Sequence, residues 1–208
     1  MYIPKHFEGD EATGREIMQA HSWALLLTAD ETGAPLATHL SLIWRNDGSP
    51  HGSLIGHMAR ANNHWKLFER QPQSLALFWG PHAYVSPTWY EPGPKVPTWN
   101  YVTVHAYGRP QVITETPLVL RVLSELAKAY ETGAGEWNLG ALPPGTSEEL
   151  SKHIVAFRMP RARVETKIKL SQNRDLADQK NVVARLEGSD SQDSRAIAQW
   201  MKRVMPAS

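Results

Sequence analysis

The residues of this chain that could do chemistry gather in a few short runs. The densest is Gly80 to Gly108, GPHAYVSPTWYEPGPKVPTWNYVTVHAYG, which holds six of the fourteen Trp and Tyr residues: Tyr84, Trp89, Tyr90, Trp99, Tyr101 and Tyr107. Large rings with polar edges, set between prolines that stiffen the loops, suit a flat heteroaromatic ligand or a seam between subunits. A second run, Gly56-His57-Met58-Ala59-Arg60-Ala61-Asn62, leads from a strand end into a helix start. Such a turn offers backbone N–H groups and, through Arg60, a charged fork for an anion. Its other reading is a surface arginine with Asn62 capping the next helix. A third, Lys169-Leu170-Ser171-Gln172-Asn173-Arg174, puts two cations and two amides in one turn before a helix. There too a plain alternative exists, with Asn173 as the cap of a helix beginning at Arg174 and the charges in water.

Other chemistries are excluded or unsupported. With no cysteine in 208 residues, disulfides, thiolate metal sites and cysteine nucleophiles are ruled out. Nine histidines invite a metal, and His57, His64, His82 and His105 lie in or near the runs above. No HExxH spacing or paired carboxylates accompany them, so no metal site is expected. No Ser-His-Asp or P-loop motif occurs, and no GxGxxG opens a helix. The N-terminus lacks the basic start and apolar run of a signal peptide, and no segment approaches the ~20 apolar residues of a membrane span. Cytoplasm is the expected compartment. The net charge of +1 hides an asymmetry: residues 1–157 are net −4 and residues 158–208 net +5, mostly between Arg158 and Arg185. A local basic strip on a near-neutral protein suits a small anion such as a phosphate, whereas duplex DNA calls for a broader face. Solvated helix and strand edges are the equal alternative.

The positioning elements follow from periodicity. Asp10 caps a helix over Glu11 to His21 that buries Ile17 and Met18. Trp23 to Thr28 is a strand ended by the turn Asp30-Glu31-Thr32-Gly33. Leu36 to Arg45 alternates, with Leu36, Thr38, Leu40, Leu42 and Trp44 on one face and Ala37, His39, Ser41 and Ile43 on the other. Asn46-Asp47-Gly48 turns into a strand over Gly52 to His57. Asn63 to Gln71 reads as a short helix stopped by Pro72, and Ser74 to Trp79 as the next strand. A helical turn at Thr88-Trp89-Tyr90 precedes a long strand from Thr98 to Thr114, with Trp99, Tyr101, Thr103, His105 and Tyr107 on one face. Pro117 to Glu131 is an amphipathic helix with a stripe of Leu118, Val122, Leu126 and Ala129. A loop over Gly133 to Gly145, a helix over Ser147 to Ile154 and a strand over Val155 to Ile168 broken at Pro160 come next. Helices over Asp175–Glu187 and Ser191–Val204 close the chain. Sequential strands joined by turns, with helices outside, predict an α+β antiparallel barrel in one domain over residues 1–208, with a C-terminal helical extension over 175–204.

Several segments in order resemble one family: MYIPKHF (1–7), GHMARAN (56–62), GPHAYVSPTWY (80–90), VPTWNYVTVHAYG (96–108) and KLSQNR (169–174). They are similar to the PaiB family, a branch of the flavin mononucleotide (FMN) binding split-barrel group related to pyridoxamine phosphate oxidases. The resemblance implies a split β-barrel that binds FMN at a homodimer interface, in a family described as negative transcriptional regulators. It implies a phosphate role for Arg60 and Asn62 in the turn that also carries His57. It sets the strand of His39 and Ser41 alongside the isoalloxazine ring. Lys169 becomes the candidate for charge near the ring's N1–C2=O edge, where reduced flavin gathers negative charge. Gln172 and Asn173 become amide partners, and Arg174 reaches for phosphate or the subunit seam. Trp99 or Asn100 is the expected aromatic-strand contact, with Tyr101 left to packing.

Three functions stay open on the residues: a transcriptional repressor, a flavin-dependent oxidoreductase, and a flavin or haem carrier. The closing helices, separated by Gly188-Ser189-Asp190, superficially resemble a helix-turn-helix. However, the turn that would meet phosphates carries Asp190 and Asp193. Buried-looking Ile197, Trp200, Met201 and Val204 mark a helix docked on its own domain. DNA contact, where it occurs, is expected through the basic strip or another protein.

Overall fold

Local signals place the first elements. The computed structural model describes residues 1–71, 73–131, 133 and 137–206. Helix α1 (Glu11–Ala20) starts where Asp10 Oδ1 accepts the Thr13 N–H at 2.7 Å, and Ile17 and Met18 are fully buried. Strands β1 (Trp23–Ala29) and β2 (Pro35–Ser41) form a hairpin in which Asp30 Oδ1 accepts from Thr32 N and Ala34 N. Gly33 closes that turn at φ 87°, a left-handed conformation that glycine adopts without strain.

The strand expected over Leu36 to Arg45 is two strands. The chain breaks at Leu42, which is fully buried and donates its N–H to Ser22 O at 2.9 Å. It resumes as β3 (Ile43–Arg45), paired with β4 (Ser53–Ala59) rather than with β1. The helix expected over 63–71 is a 3₁₀ helix, Asn63–Leu67. Its expected stop at Pro72 lies outside the described residues, as do positions 134–136 of the loop expected over 133–145. Strand β5 (Ser74–Val85) runs six residues past its expected end at Trp79. A 3₁₀ turn at Pro87–Trp89 then leads to β6 (Thr98–Gly108). Arg109-Pro110 splits the expected long strand, leaving β7 (Gln111–Ile113) as a separate piece. Helix α2 (Thr116–Tyr130) buries Val122 and Leu126 as expected, but Val119 completes the inner stripe, while Leu118 is 47% exposed and Ala129 is exposed.

Helix α3 (Thr146–Ser151) is shorter than expected, and Gly145, not Ser147, precedes it at φ 80°. Strand β8 (Ile154–Lys169) continues straight through Pro160. Pro160 faces Ser53 at the last rung of the ladder with β4, where a missing N–H costs little. Helices α4 (Leu176–Glu187) and α5 (Gln192–Val204) follow as expected, and α5 buries Ile197 and Met201.

Among the described residues the sheet order is β2-β1-β5-β6-β8-β4-β3, with β7 also pairing β8, and every described register is antiparallel. The chain forms two compact units. The first is built of residues 1–17, 79–104 and 165–208. In it, Glu8 bridges Lys167 and α4 packs on α5. The second comprises residues 18–78 and 105–164 and holds the core of Ile55, Val119, Val122, Leu126 and Ala156. Gly108 permits the tightest backbone approach in this second unit: a Cβ there would stand 2.2 Å from Pro160 O.

Candidate functional site

In the first unit, β6 and the turn after β8 bring together one set of candidate residues. Lys169 Nζ donates to Trp99 O at 2.6 Å and to Thr98 Oγ1, both neutral oxygens. Burial, and then the positive charges of Lys167 and Arg174, hold the Lys169 ammonium below its ordinary pKa. The Arg174 guanidinium lies 5.0 Å from the centroid of the Tyr90 ring. Trp99 is 52% exposed and sits 6.0 Å from His82 and 5.9 Å from Tyr84, ring centre to ring centre. Trp79, 64% exposed, is 6.1 Å from His82 on the same side. A row of open ring faces thus lies beside a crowded cationic turn.

The rest of that turn is tied down internally. Gln172 Oε1 accepts from Leu170 N at 2.7 Å, and its amide donates to Ile168 O at 2.6 Å. Ser171 adopts φ 66°, unusual for a residue with a side chain. Its hydroxyl exchanges hydrogen bonds with Asn100 at 3.0 and 3.2 Å. Asn100 is fully buried and also reaches Met201 Sδ, so of the two β6 residues expected at a ligand only Trp99 lies open. Asn173 is exposed.

The second unit places the other set on β2, β4 and the turn after β4. Arg60 is exposed, but its Nε and Nη2 donate to Lys152 O and Ile154 O at 2.7 and 2.8 Å, clamping the start of β8 and leaving its remaining N–H groups for an anion. Asn62 serves as the helix cap: its Oδ1 accepts from His64 N at 3.0 Å and its amide donates to Thr38 Oγ1 at 3.1 Å. His64, fully buried, links Thr38 Oγ1 and Thr28 Oγ1 at 2.8 Å each, and Thr28 continues to Ser74. Burial holds His64 below its usual pKa. His39 is exposed on β2 opposite Leu25.

Ser41 and His57 line a cavity of about 440 Å³ beside α2. The hydroxyls of Ser41 and Ser22 both meet Tyr130 OH. His57 Nδ1 is buried with no hydrogen-bond partner among the described residues, and burial lowers the ring's pKa. The sequence reading missed the rest of this cavity. Its signal was present: Leu123, Leu126, Ala127, Tyr130 and Glu131 repeat at helical spacing on one face of α2.

The basic strip is largely spent on structure. Arg158 pairs with Asp47 and Ser49, while Arg161 and Lys167 are buried. The N-terminal turn of α5 carries Asp193, which lies 3.4 Å from His82. No helix among the described residues is long and apolar enough to cross a membrane.

Comparison with known proteins fits this arrangement. A family profile described as "Putative FMN-binding domain" matches residues 1–163. The chain is 34% identical over 207 residues to "Protease synthase and sporulation protein PAI 2" of Bacillus subtilis, covering 97% of each chain. It is 29% identical over 153 residues to "Uncharacterized protein YKL070W" of Saccharomyces cerevisiae, covering 63% of this chain and 90% of that one. Among solved structures, the flavocytochrome Anf3 from Azotobacter vinelandii superposes with a TM-score of 0.61 at 17% identity, covering 82% of this chain and 73% of that one. The FAD and heme binding protein from Mycobacterium smegmatis gives a TM-score of 0.61 at 12% identity, covering 82% and 77%. At such identities the likeness is one of fold, and the fold is the antiparallel split β-barrel with peripheral helices. The ordered segments, the fold and the match along nearly the full length converge: the chain belongs to the PaiB family of FMN-binding-type split-barrel proteins.

Proposed function

We propose that this protein binds FMN as a homodimer and acts as a negative transcriptional regulator that responds to the bound flavin. The observation that carries the flavin reading is the Lys169 turn. An ammonium bonded to two neutral oxygens and crowded by Lys167 and Arg174 gains stability from an anion, and open ring faces stand next to it. These residues fit FMN: Lys169 and Arg174 suit its ring oxygens or phosphate, and Trp99 its flat ring system. The flavin, when bound, supplies hydride or electron transfer, while this chain's residues bind and orient it. The exposed row of Trp79, His82, Tyr84 and Trp99 supports a second copy of the chain as the dimer partner, because such a contiguous aromatic face is costly in water.

The regulatory half of the proposal is supported by the family resemblance and by the sporulation name of the Bacillus relative. With Asp193 on the first turn of α5 and Arg158 held by Asp47, regulation through a protein partner fits the chain better than direct reading of DNA. The test is an absorbance scan of the purified protein, mass spectrometry of the molecule released on denaturation, and sedimentation of the holoprotein. FMN in a dimer is expected; a protein that stays colourless and ignores added FMN refutes the proposal. A flavin-dependent oxidoreductase is the second reading, favoured by the depressed Lys169 beside open rings. Steady NAD(P)H consumption by the holoprotein would establish it over a regulator or a carrier.

A further inference from the structure

We propose that the cavity beside α2 is a second, separate binding site, for a small uncharged and mainly apolar molecule of phenolic type held by a hydrogen bond to His57. Three independent features of the cavity carry this.

Its walls are Leu123, Leu126, Leu139, Leu142, Leu150 and Trp137, and its volume of about 440 Å³ lies in the range of small-ligand sites. A space of that size with so little polar lining rewards apolar surface, including the flat face of a ring against Trp137.

Besides the Trp137 indole, its polar side chains among the described residues are five: Ser41, His57, Tyr130, Glu131 and Ser147, whose hydroxyl donates to Leu139 O at 3.5 Å. His57 Nδ1 is buried and lacks a hydrogen-bond partner among the described residues. A buried nitrogen left unpaired is costly, and a turn of the ring that brings Nδ1 to the cavity lets a ligand hydroxyl supply what the protein does not. Burial keeps the imidazole neutral at pH 7, so the ring can accept from a ligand O–H as well as donate to it. The Ser41 and Tyr130 hydroxyls, already paired with each other, offer a second polar contact at modest rearrangement.

Its charge excludes FMN. Among the described residues no lysine or arginine lines the cavity, whereas Glu131 does, so a phosphate dianion meets a carboxylate and no counter-charge. The guest is therefore of a different class from the cofactor proposed for the Lys169 turn, and the two sites stand or fall separately.

The test uses the full-length, FMN-saturated protein titrated with p-cresol, toluene and p-cresyl phosphate, followed by tryptophan fluorescence and by saturation-transfer NMR of the probes. The expected result is binding of p-cresol about ten-fold tighter than toluene, with no binding of the phosphate ester. His57→Leu should erase the ten-fold preference while toluene still binds. Ala127→Phe, which fills the cavity from a half-buried helix position, should abolish binding of both. Leu150→Trp on the exposed rim serves the same purpose should either variant misfold. Equal affinities for p-cresol and toluene, binding that survives the filled cavity, binding of neither probe, or release of FMN by p-cresol would each overturn the proposal.

Discussion

Replacing Lys169 by methionine separates a ligand-binding lysine from a structural one. The side chain keeps its length and loses its charge. An ammonium has three N–H donors, of which two serve Thr98 Oγ1 and Trp99 O, leaving one for a guest. Losing one charge-assisted bond costs about 1.5–3 kcal/mol, which is roughly a 10- to 150-fold rise in the Kd for FMN. The flavin-free protein should respond differently. The substitution relieves the crowding by Lys167 and Arg174, and the exposed Trp99 carbonyl and neighbouring Thr98 hydroxyl can turn to water. The net effect on folding is then about 1 kcal/mol or less, a shift in Tm of roughly 4 °C at most for a chain of this size. Quenching of FMN fluorescence on titration into flavin-free protein gives the first quantity, and thermal denaturation without flavin gives the second. An FMN affinity within three-fold of the parent would refute the assignment. A Tm falling by more than about 8 °C would make Lys169 a clamp for β6 rather than a binding group.

Other perturbations test the scaffold and the remaining candidates. Gly108→Ala sets a Cβ 2.2 Å from Pro160 O and 2.9 Å from Met159 Cγ, so it should cost about 2–4 kcal/mol; a Tm within 2 °C of the parent would contradict this. Asn62→Ala removes a cap and the bond to Thr38, for a loss of about 1–2 kcal/mol, while Asn62→Asp should restore most of it by keeping the cap acceptor. Weaker FMN binding by Asn62→Ala with unchanged Tm would instead put Asn62 in contact with the ligand. His57 and His64 are both held below 6.5 by burial, so as pH falls below that value the unfolded chain takes up protons first. Stability should therefore decline from about pH 6.5 down to the folded-state values and then level off; a urea midpoint that stays constant or rises between pH 7.5 and 5.5 would exclude this.

Local rules carried much of the fold. The Asp10 cap, the Asp30–Gly33 turn and the buried Ile197 and Met201 of α5 depend on neighbours in sequence, and they stand where periodicity places them. The misreadings share a cause in long-range packing. Leu42 continues a two-residue alternation perfectly, yet the chain breaks there because the following residues pair with β4. Pro160 reads as a strand breaker, and only its place at the end of the β4 ladder makes it harmless. The candidate site divides the same way. Lys169 and Trp99, distant in sequence, meet through a hydrogen bond to the Trp99 carbonyl. Asn100 and Gln172 look equally suited to a ligand in sequence, but one is buried against Ser171 and the other closes its own turn. Trp137, Leu139 and Leu142 of the α2 cavity come from the stretch before α3, where irregular backbone gives sequence patterns nothing to read.

The interleaving of the two units bears on how the protein can be dissected. One half draws on three separate stretches of polypeptide and the other on two, so the backbone passes between them at four places. No single truncation can liberate either half whole: cutting after residue 164 removes α4 and α5, yet leaves residues 1–17 and 79–104 of the first unit joined to the second. Expression of fragments is therefore a poor route to assigning flavin and phenol to their respective halves. Point substitutions in the intact gene are the better tool.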